Sequence, residues 1–171
     1  HVPDANVGIR LGEPSLTPAG YLHLIDLDIR KTESGPEAWA AVRRLVPTFD
    51  QLPTVESGSG GQSRHLYFFS PTPLKSDKLA KSEGFSYVFD QRLGREVKKH
   101  DWEIDLLGTG KQGVLPPSIH PDTGRPYKWL RPICPELVSM GIGPTVKFRQ
   151  APPREAEADD LFAIIKADPL D

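Results

Sequence analysis

Proline and glycine punctuate this chain so densely that long elements are excluded: 18 Pro and 15 Gly are scattered through 171 residues, with no fixed-period repeat. Each proline fixes φ and removes a backbone donor, and glycine favours turns, so helices and strands must be short. A bundle or solenoid is ruled out, and a mixed sheet with few helices is predicted. Residues 6–12 alternate small or apolar residues with others and read as an entry strand closed by a turn. Residues 21–30, rich in Leu and Ile, read as a central strand. Ser34 as N-cap and Pro36 in the first turn then open a helix, in which Ala38, Trp39, Val42, Leu45 and Val46 recur at helical spacing until Pro47. Residues 54–56 and 64–69 read as a hairpin whose tip is the flexible run Ser57-Gly58-Ser59-Gly60-Gly61. Residues 71–101 are polar, with cations outnumbering acids, and are expected to be irregular apart from one short strand at 85–89. Residues 102–107 alternate again and are expected to pair antiparallel with Val114-Leu115, Pro116-Pro117 ending that ladder. A strand at 145–148 and a helix near 159–166 complete the reading.

The length suits one domain with a single sizeable core. The expected division is a catalytic core over residues 1–150 and a C-terminal linker with a short helix over 151–171, leading to a further domain. The chain opens at His1 without Met and is expected to be a piece of a longer polypeptide. A formal charge of −2 decides nothing about nucleic acid, because an acidic metal site and a basic groove cancel in the sum. The single cysteine, Cys134, excludes an internal disulfide and argues against a Cys-based zinc site, which suits a reducing, cytoplasmic setting. Apolar runs fall far short of the roughly 20 residues that span a bilayer, so no membrane partner is expected.

Within the central strand, side chains alternate, so Ile25, Leu27 and Ile29 share one face while Asp26 and Asp28 share the other. Two carboxylates on one strand face repel and raise each other's pKa unless a cation lies between them, and hard divalent ions suit such oxygen ligands. A polar strand face in water is the plainer alternative. Residues 102–106 repeat the logic, with Trp102, Ile104 and Leu106 inward and Glu103 and Asp105 outward, so Asp105 is placed to complete a three-carboxylate site. Ser63 and His65 alternate onto one side next to Gly60-Gly61, where they suit phosphate or serve the fold alone. Ser118 and His120 are bracketed by Pro116-Pro117 and Pro121, which would hold them rigidly towards a ligand. After the turn at Asp122-Thr123-Gly124, Arg125, Tyr127, Lys128 and Trp129 interleave cations and aromatics as single-strand binders do, or pack a proline-rich turn. Gly108-x-Gly110-Lys111-x-Gly113 mimics a phosphate loop, but Gln112 follows the lysine and no helix follows, so a P-loop ATPase is rejected.

Taken in order, these motifs resemble the primase-polymerase domain of the archaeo-eukaryotic primase superfamily, found in replication proteins of plasmids, phages and related mobile elements. Asn6-Val7-Gly8-Ile9 with Gly12 looks like the entry strand, Asp26-Leu27-Asp28 like the first motif, Ser63-Arg64-His65 like the second and Ile104-Asp105 like the third. The run from Gly113 through Pro116-Pro117-Ser118-Ile119-His120 to Gly124, Tyr127 and Trp129 looks like the family's Pro-Pro-Ser-x-His segment, so the match spans residues 6–130. The resemblance implies an α+β fold, an RRM-like mixed or antiparallel sheet with a flanking α/β unit. It implies that Asp26, Asp28 and Asp105 bind two Mg or Mn ions and that Ser63, Arg64 and His65 hold the incoming triphosphate. Ser118 and His120 would line the nucleotide pocket, and Lys111 would reach phosphate or template. Two features depart from the family pattern: these 171 residues do not include the α/β segment that commonly precedes the entry strand, and Gly60-Gly61 lies farther from His65 than in many relatives.

The expected activity is template-dependent synthesis by a DNA primase/polymerase: nucleotidyl transfer from an NTP or dNTP to a 3′-hydroxyl, with release of pyrophosphate. Expected partners are single-stranded or primed DNA and a helicase or other replication domain of the full-length protein. The rival readings are a metal-dependent glycosyltransferase using Asp-x-Asp and a non-catalytic template-binding module.

Overall fold

The computed structural model describes residues 6–148. In chain order its elements are β1 (Val7–Arg10), β2 (Leu16–Thr17), β3 (Gly20–Ile29), α1 (Gly35–Leu45), β4 (Thr54–Glu56), β5 (Arg64–Ser70), β6 (Asp77–Lys81), β7 (Phe85–Asp90), β8 (Arg95–His100), β9 (Trp102–Leu107), β10 (Gln112–Leu115), β11 (Lys128–Arg131) and α2 (Pro135–Ser139). The main sheet runs β11-β4-β5-β3-β9-β6, with β2 pairing on β3, and every pairing between these strands is antiparallel. The fold is therefore α+β, dominated by antiparallel sheet.

β3 is central because its alternation serves two cores at once. Ile25, Leu27 and Ile29 point to one face, where α1 lays Ala38, Ala41 and Val42 against them together with Leu66, Phe68, Trp102 and Ile104. Burying aliphatic side chains of this size stabilises the fold by about 2 kcal/mol each. Leu22 and Leu24 point to the other face and join Leu11, Val55, Tyr67, Phe69 and Tyr127. A ribbon of β1 paired with β10 covers part of that second face. Gly113 permits the close approach: a Cβ there would lie 3.0 Å from the Tyr67 hydroxyl and 3.1 Å from Leu24 Cδ2. Beyond the ribbon the same face carries Asp26 and Asp28.

The central strand, the helix and the β4–β5 hairpin form as expected. Ser34 occupies the N-cap position of α1 but makes no capping bond; its hydroxyl donates back to the Lys31 carbonyl at 2.7 Å. Three expectations are corrected. Residues 71–101 hold three strands rather than one: β6 edges the main sheet, and β7 and β8 form a hairpin of their own. β9 does not pair with residues 114–115; it fills the slot between β3 and β6, and the turn at Gly108–Gly110 redirects the chain so that β10 meets β1. Residues 145–148 make a single bridge, Thr145 to Phe69, rather than a strand. The helix expected near 159–166 lies outside the described residues.

Candidate active site

A row of side chains crosses the open face of the sheet because antiparallel register puts them opposite one another. His65 on β5 faces Asp26 on β3, Asp26 faces Asp105 on β9, and Asp105 faces Lys78 on β6. One step along, Asp28 faces Glu103. His65 Nε2 lies 3.6 Å from Asp26 Oδ1. Lys78 Nζ is 2.8 Å from Asp105 Oδ1 and donates to Glu103 Oε1 at 2.8 Å, while Arg30 pairs with Asp28 and, at 2.7 Å, with Glu103. Four carboxylates thus share two cations.

The electrostatics follow from that imbalance. Asp26 keeps 33% of its side-chain exposure but sits at the floor of the row. Burial, with the charges of Asp28 and Asp105, pushes its pKa up to about 7 against the weaker pull of Arg30 and Lys78. Burial alone would raise Glu103 too, but hydrogen bonds from Lys78 and Arg30 outweigh it and leave this carboxyl below its usual range. Burial also pushes His65 down to about 4, offset only in part by the Val114 backbone, so the ring is neutral near pH 7. Its Nδ1 is buried without a hydrogen-bond partner among the described residues.

The proline-bracketed segment docks beside this row. The Tyr127 ring lies 5.6 Å from His65 and 6.0 Å from His120, centroid to centroid, and links the two motifs. Gly58 lets the loops nest, since a Cβ there would meet His120 Cβ at 2.7 Å and the Arg125 carbonyl at 2.6 Å. A cis peptide joins Pro116 to Pro117.

The sequence-derived residues do not all converge. Asp26, Asp28, Asp105 and His65 share the row, and His120 borders it through Tyr127. Ser63 is buried, its hydroxyl accepting from the Ile29 N–H at 2.9 Å. Ser118 is buried as well, accepting from the Val7 N–H at 2.7 Å and donating to its carbonyl at 3.2 Å. Both hydroxyls tie backbone segments together. Arg64 alternates away from His65 and lines a separate cavity of about 220 Å³ with Trp39 and Phe49. Lys111 lies with Arg10 and Gln112 in another hollow, at the end of the β1–β10 ribbon. Tyr127 is only 8% exposed and Trp129 packs on Tyr67 at 5.8 Å, so the interleaved segment is largely core rather than a stacking platform.

A family model described as bifunctional DNA primase/polymerase, N-terminal, matches residues 1–140. The chain belongs to the Prim-Pol family. No curated protein and no solved structure matches it. Prim-Pol membership carries DNA primase/polymerase chemistry, a nucleotidyl transfer that acts on nucleotides and DNA. No helix among the described residues is long and apolar enough to cross a membrane.

Divalent ions are the group that the family resemblance implies, and the donor set fits them in chemistry. Asp26, Asp28 and Asp105 offer hard oxygen ligands on one face, and burial, with the charges of Asp28 and Asp105, raises Asp26 despite Arg30 and Lys78, a cost that a bound cation would offset. Among the described residues no three acidic, histidine or cysteine side chains close into a cage, and Lys78 contacts both oxygens of Asp105. Lys78 and Arg30 are the site residues that the motifs did not disclose. Their signal lay in register: Lys78 stands opposite Asp105, and Arg30 follows β3 directly.

Proposed function

We propose that this domain carries out template-dependent nucleotidyl transfer at the row of Asp26, Asp28 and Asp105. The observation that carries the reading is the register Asp26 to Asp105 with His65 on the opposite flank: the Asp26–Asp28 pair of β3 and the sequence-distant Asp105 of β9 meet on one open sheet face beside a neutral histidine. The three carboxylates would hold two Mg or Mn ions, which would supply positive charge favouring ionisation of a 3′-hydroxyl and steadying the departing pyrophosphate. The hydroxyl oxygen bonds to the α-phosphorus of the incoming nucleotide as the bond to the bridging oxygen breaks. His65, neutral at working pH, donates a ring N–H to the triphosphate, and His120 closes the pocket across Tyr127. Lys78 and Arg30 balance the carboxylates and face the polyphosphate once it is seated. Positioning and charge do the chemistry, since phosphoryl transfer asks little covalent work of the protein.

The strand order β4-β5-β3-β9, with α1 between β3 and β4, supports an RRM-like reading of the sheet, in which β6 to β8 stand where such folds place a second helix. The test is gel-resolved synthesis on single-stranded and primed DNA with each nucleotide set and Mn or Mg, beside an Asp26→Ala/Asp28→Ala control. Metal-dependent products absent from the control are expected. A folded wild-type protein that binds nucleotide and yields none would replace catalysis with a template-binding platform.

A further inference from the structure

The β7–β8 hairpin is the largest part of the chain that neither core explains. Among the described residues its strands pair only with each other. Phe85, Tyr87 and Phe89 lie on one face of β7, and all three are exposed, Tyr87 to 63% and Phe89 to 60%. Large aromatics in such a stripe are costly to leave in water without a partner. On that face the register sets Lys98 opposite Tyr87, its ammonium 3.7 Å from the Phe85 ring centroid, and Glu96 opposite Phe89, while Lys99 lies on the reverse face. Across residues 85–100 the cations Arg92, Arg95, Lys98 and Lys99 outnumber the acids Asp90 and Glu96 in a chain whose formal charge is −2. Asp90 is moreover committed to the turn, accepting from the N–H groups of Arg92 and Leu93.

The hairpin is also wired to the site. β6 and β9 continue directly into it through the bonds Ser82 N–H to Trp102 O and Asp101 N–H to Gly84 O. Arg30 donates to the His100 carbonyl at 2.9 Å with the same guanidinium that pairs with Asp28 and Glu103. Behind the aromatic stripe, Val88, Arg92 and Lys99 form one wall of a groove of about 540 Å³ whose other wall is Pro121 and Asp122, next to His120.

We infer that the β7–β8 hairpin is an arm that grips the single-stranded DNA template and leads it to the carboxylate row. The inference rests on the template-dependent reading above and assigns that reading its binding surface. Aromatics two residues apart on a strand are separated by about 7 Å, and unpaired bases stack on such rings while cations meet the phosphates. Duplex DNA hides its bases and gains nothing from the stripe. A second copy of the arm would bring a net excess of two cations against another two, so charge disfavours self-association as its purpose.

The test uses the full chain without nucleotide, in chelator, with a labelled single-stranded oligodeoxynucleotide followed by anisotropy over a range of salt. Tyr87→Ser/Phe89→Ser is expected to weaken binding at least about thirtyfold, from the stacking lost at two bases. Lys98→Glu/Lys99→Glu is expected to make the salt slope shallower by about 1 to 2. Both variants should keep the wild-type melting temperature, since the changed side chains lie outside the two cores. Unchanged affinity and slope in folded variants would overturn the inference. So would a wild-type protein that sediments as a dimer and becomes monomeric in the variants with DNA affinity intact. Asp26→Asn/Asp28→Asn protein should bind the oligonucleotide at least as well as wild type. If wild type makes no product yet binding depends on the arm, the catalytic reading fails and the arm stands; if synthesis proceeds and binding ignores the arm, the reverse holds.

Discussion

The two faces of the sheet each bury a histidine, and they treat it in opposite ways. On the helix-covered face His23 is fully buried and satisfied: Nδ1 bonds the Tyr21 carbonyl at 2.8 Å, Nε2 accepts from the Leu74 N–H at 2.9 Å, and the ring stacks on Phe68. On the open face His65 has an orphaned Nδ1 and sits 3.6 Å from a carboxylate whose own pKa is raised. Proteins avoid such unpaired buried groups unless something else requires them. The helix-covered face has an orphan of its own, Trp102 Nε1, but it lies among apolar side chains, whereas the open face sets its unpaired ring beside carboxylates.

The hardest break of that comparison comes from Asp105. Asp105→Ala should cut synthesis at least about a thousandfold, the scale on which single charge-stabilising groups act in phosphoryl transfer. Folding should survive, because the lost contacts are partly exposed ion pairs with Lys78 worth about 1 kcal/mol or less. Wild-type extension by the folded variant, in a single-turnover assay, would return the open face to the status of a solvated strand edge.

The histidines sharpen the contrast by separating stability from turnover. His23→Ala should cost about 2–4 kcal/mol in urea denaturation, from the cavity and the stranded Leu74 N–H, yet leave synthesis per folded molecule near wild type. His65→Ala should cost less, about 1–2 kcal/mol, since removing an unsatisfied group offsets part of the cavity left beside Tyr127, while lowering synthesis about a hundredfold. Equal profiles for the two variants would mean that the faces do not differ in kind.

A third measurement isolates the charge on the open face. In metal-free protein the raised pKa of Asp26 contributes stability that is present below its ordinary value of 3.8 and lost as pH rises through about 7. His65, lowered to about 4, acts in the opposite sense over much of that window, so wild-type stability alone is uninformative. The difference between Asp26→Asn and wild type removes the histidine from the comparison. The variant should gain on wild type from pH 4 to 7 and level off about 1–2 kcal/mol ahead, discounted for the solvent that still reaches the side chain. A difference independent of pH would show that neither burial nor the charges of Asp28 and Asp105 raise Asp26.

Much of the helix-covered face was legible because its signal is local. The apolar period of Ala38, Trp39, Val42, Leu45 and Val46 and the alternation of Ile25, Leu27 and Ile29 each fit within one element. The acids Asp26, Asp28 and Asp105 could be placed on a common side by the same period. What periodicity does not contain is the partner: β9 pairs with β3 and β6 rather than with its near neighbour β10, and that choice seats Lys78 and hence the charge balance of the site. The arm was missed for another reason. Phe85, Tyr87 and Phe89 alternate as strand residues do, but they are exposed, and the polar stretch around them carries no core signal. Ser63 and Ser118 show the converse ambiguity, since a small hydroxyl that ties a neighbouring strand reads in sequence the same as one that binds phosphate.

The smallest effect tests whether the helix face has spare polar groups of its own. Ser34 sits where an N-cap belongs, and a capping serine is worth about 1 kcal/mol. Its hydroxyl instead donates to Lys31, and no capping bond reaches the first turn of α1. Ser34→Ala should therefore shift the denaturation midpoint by less than about 0.5 kcal/mol, whereas Ser34→Asp, whose charge favours a helix N-terminus, should be neutral or slightly stabilising. A loss of 1 kcal/mol or more in the alanine variant would mean that the hydroxyl caps the helix in solution, and the helix-covered face would then owe part of its stability to a polar contact as local as the apolar pattern beneath it.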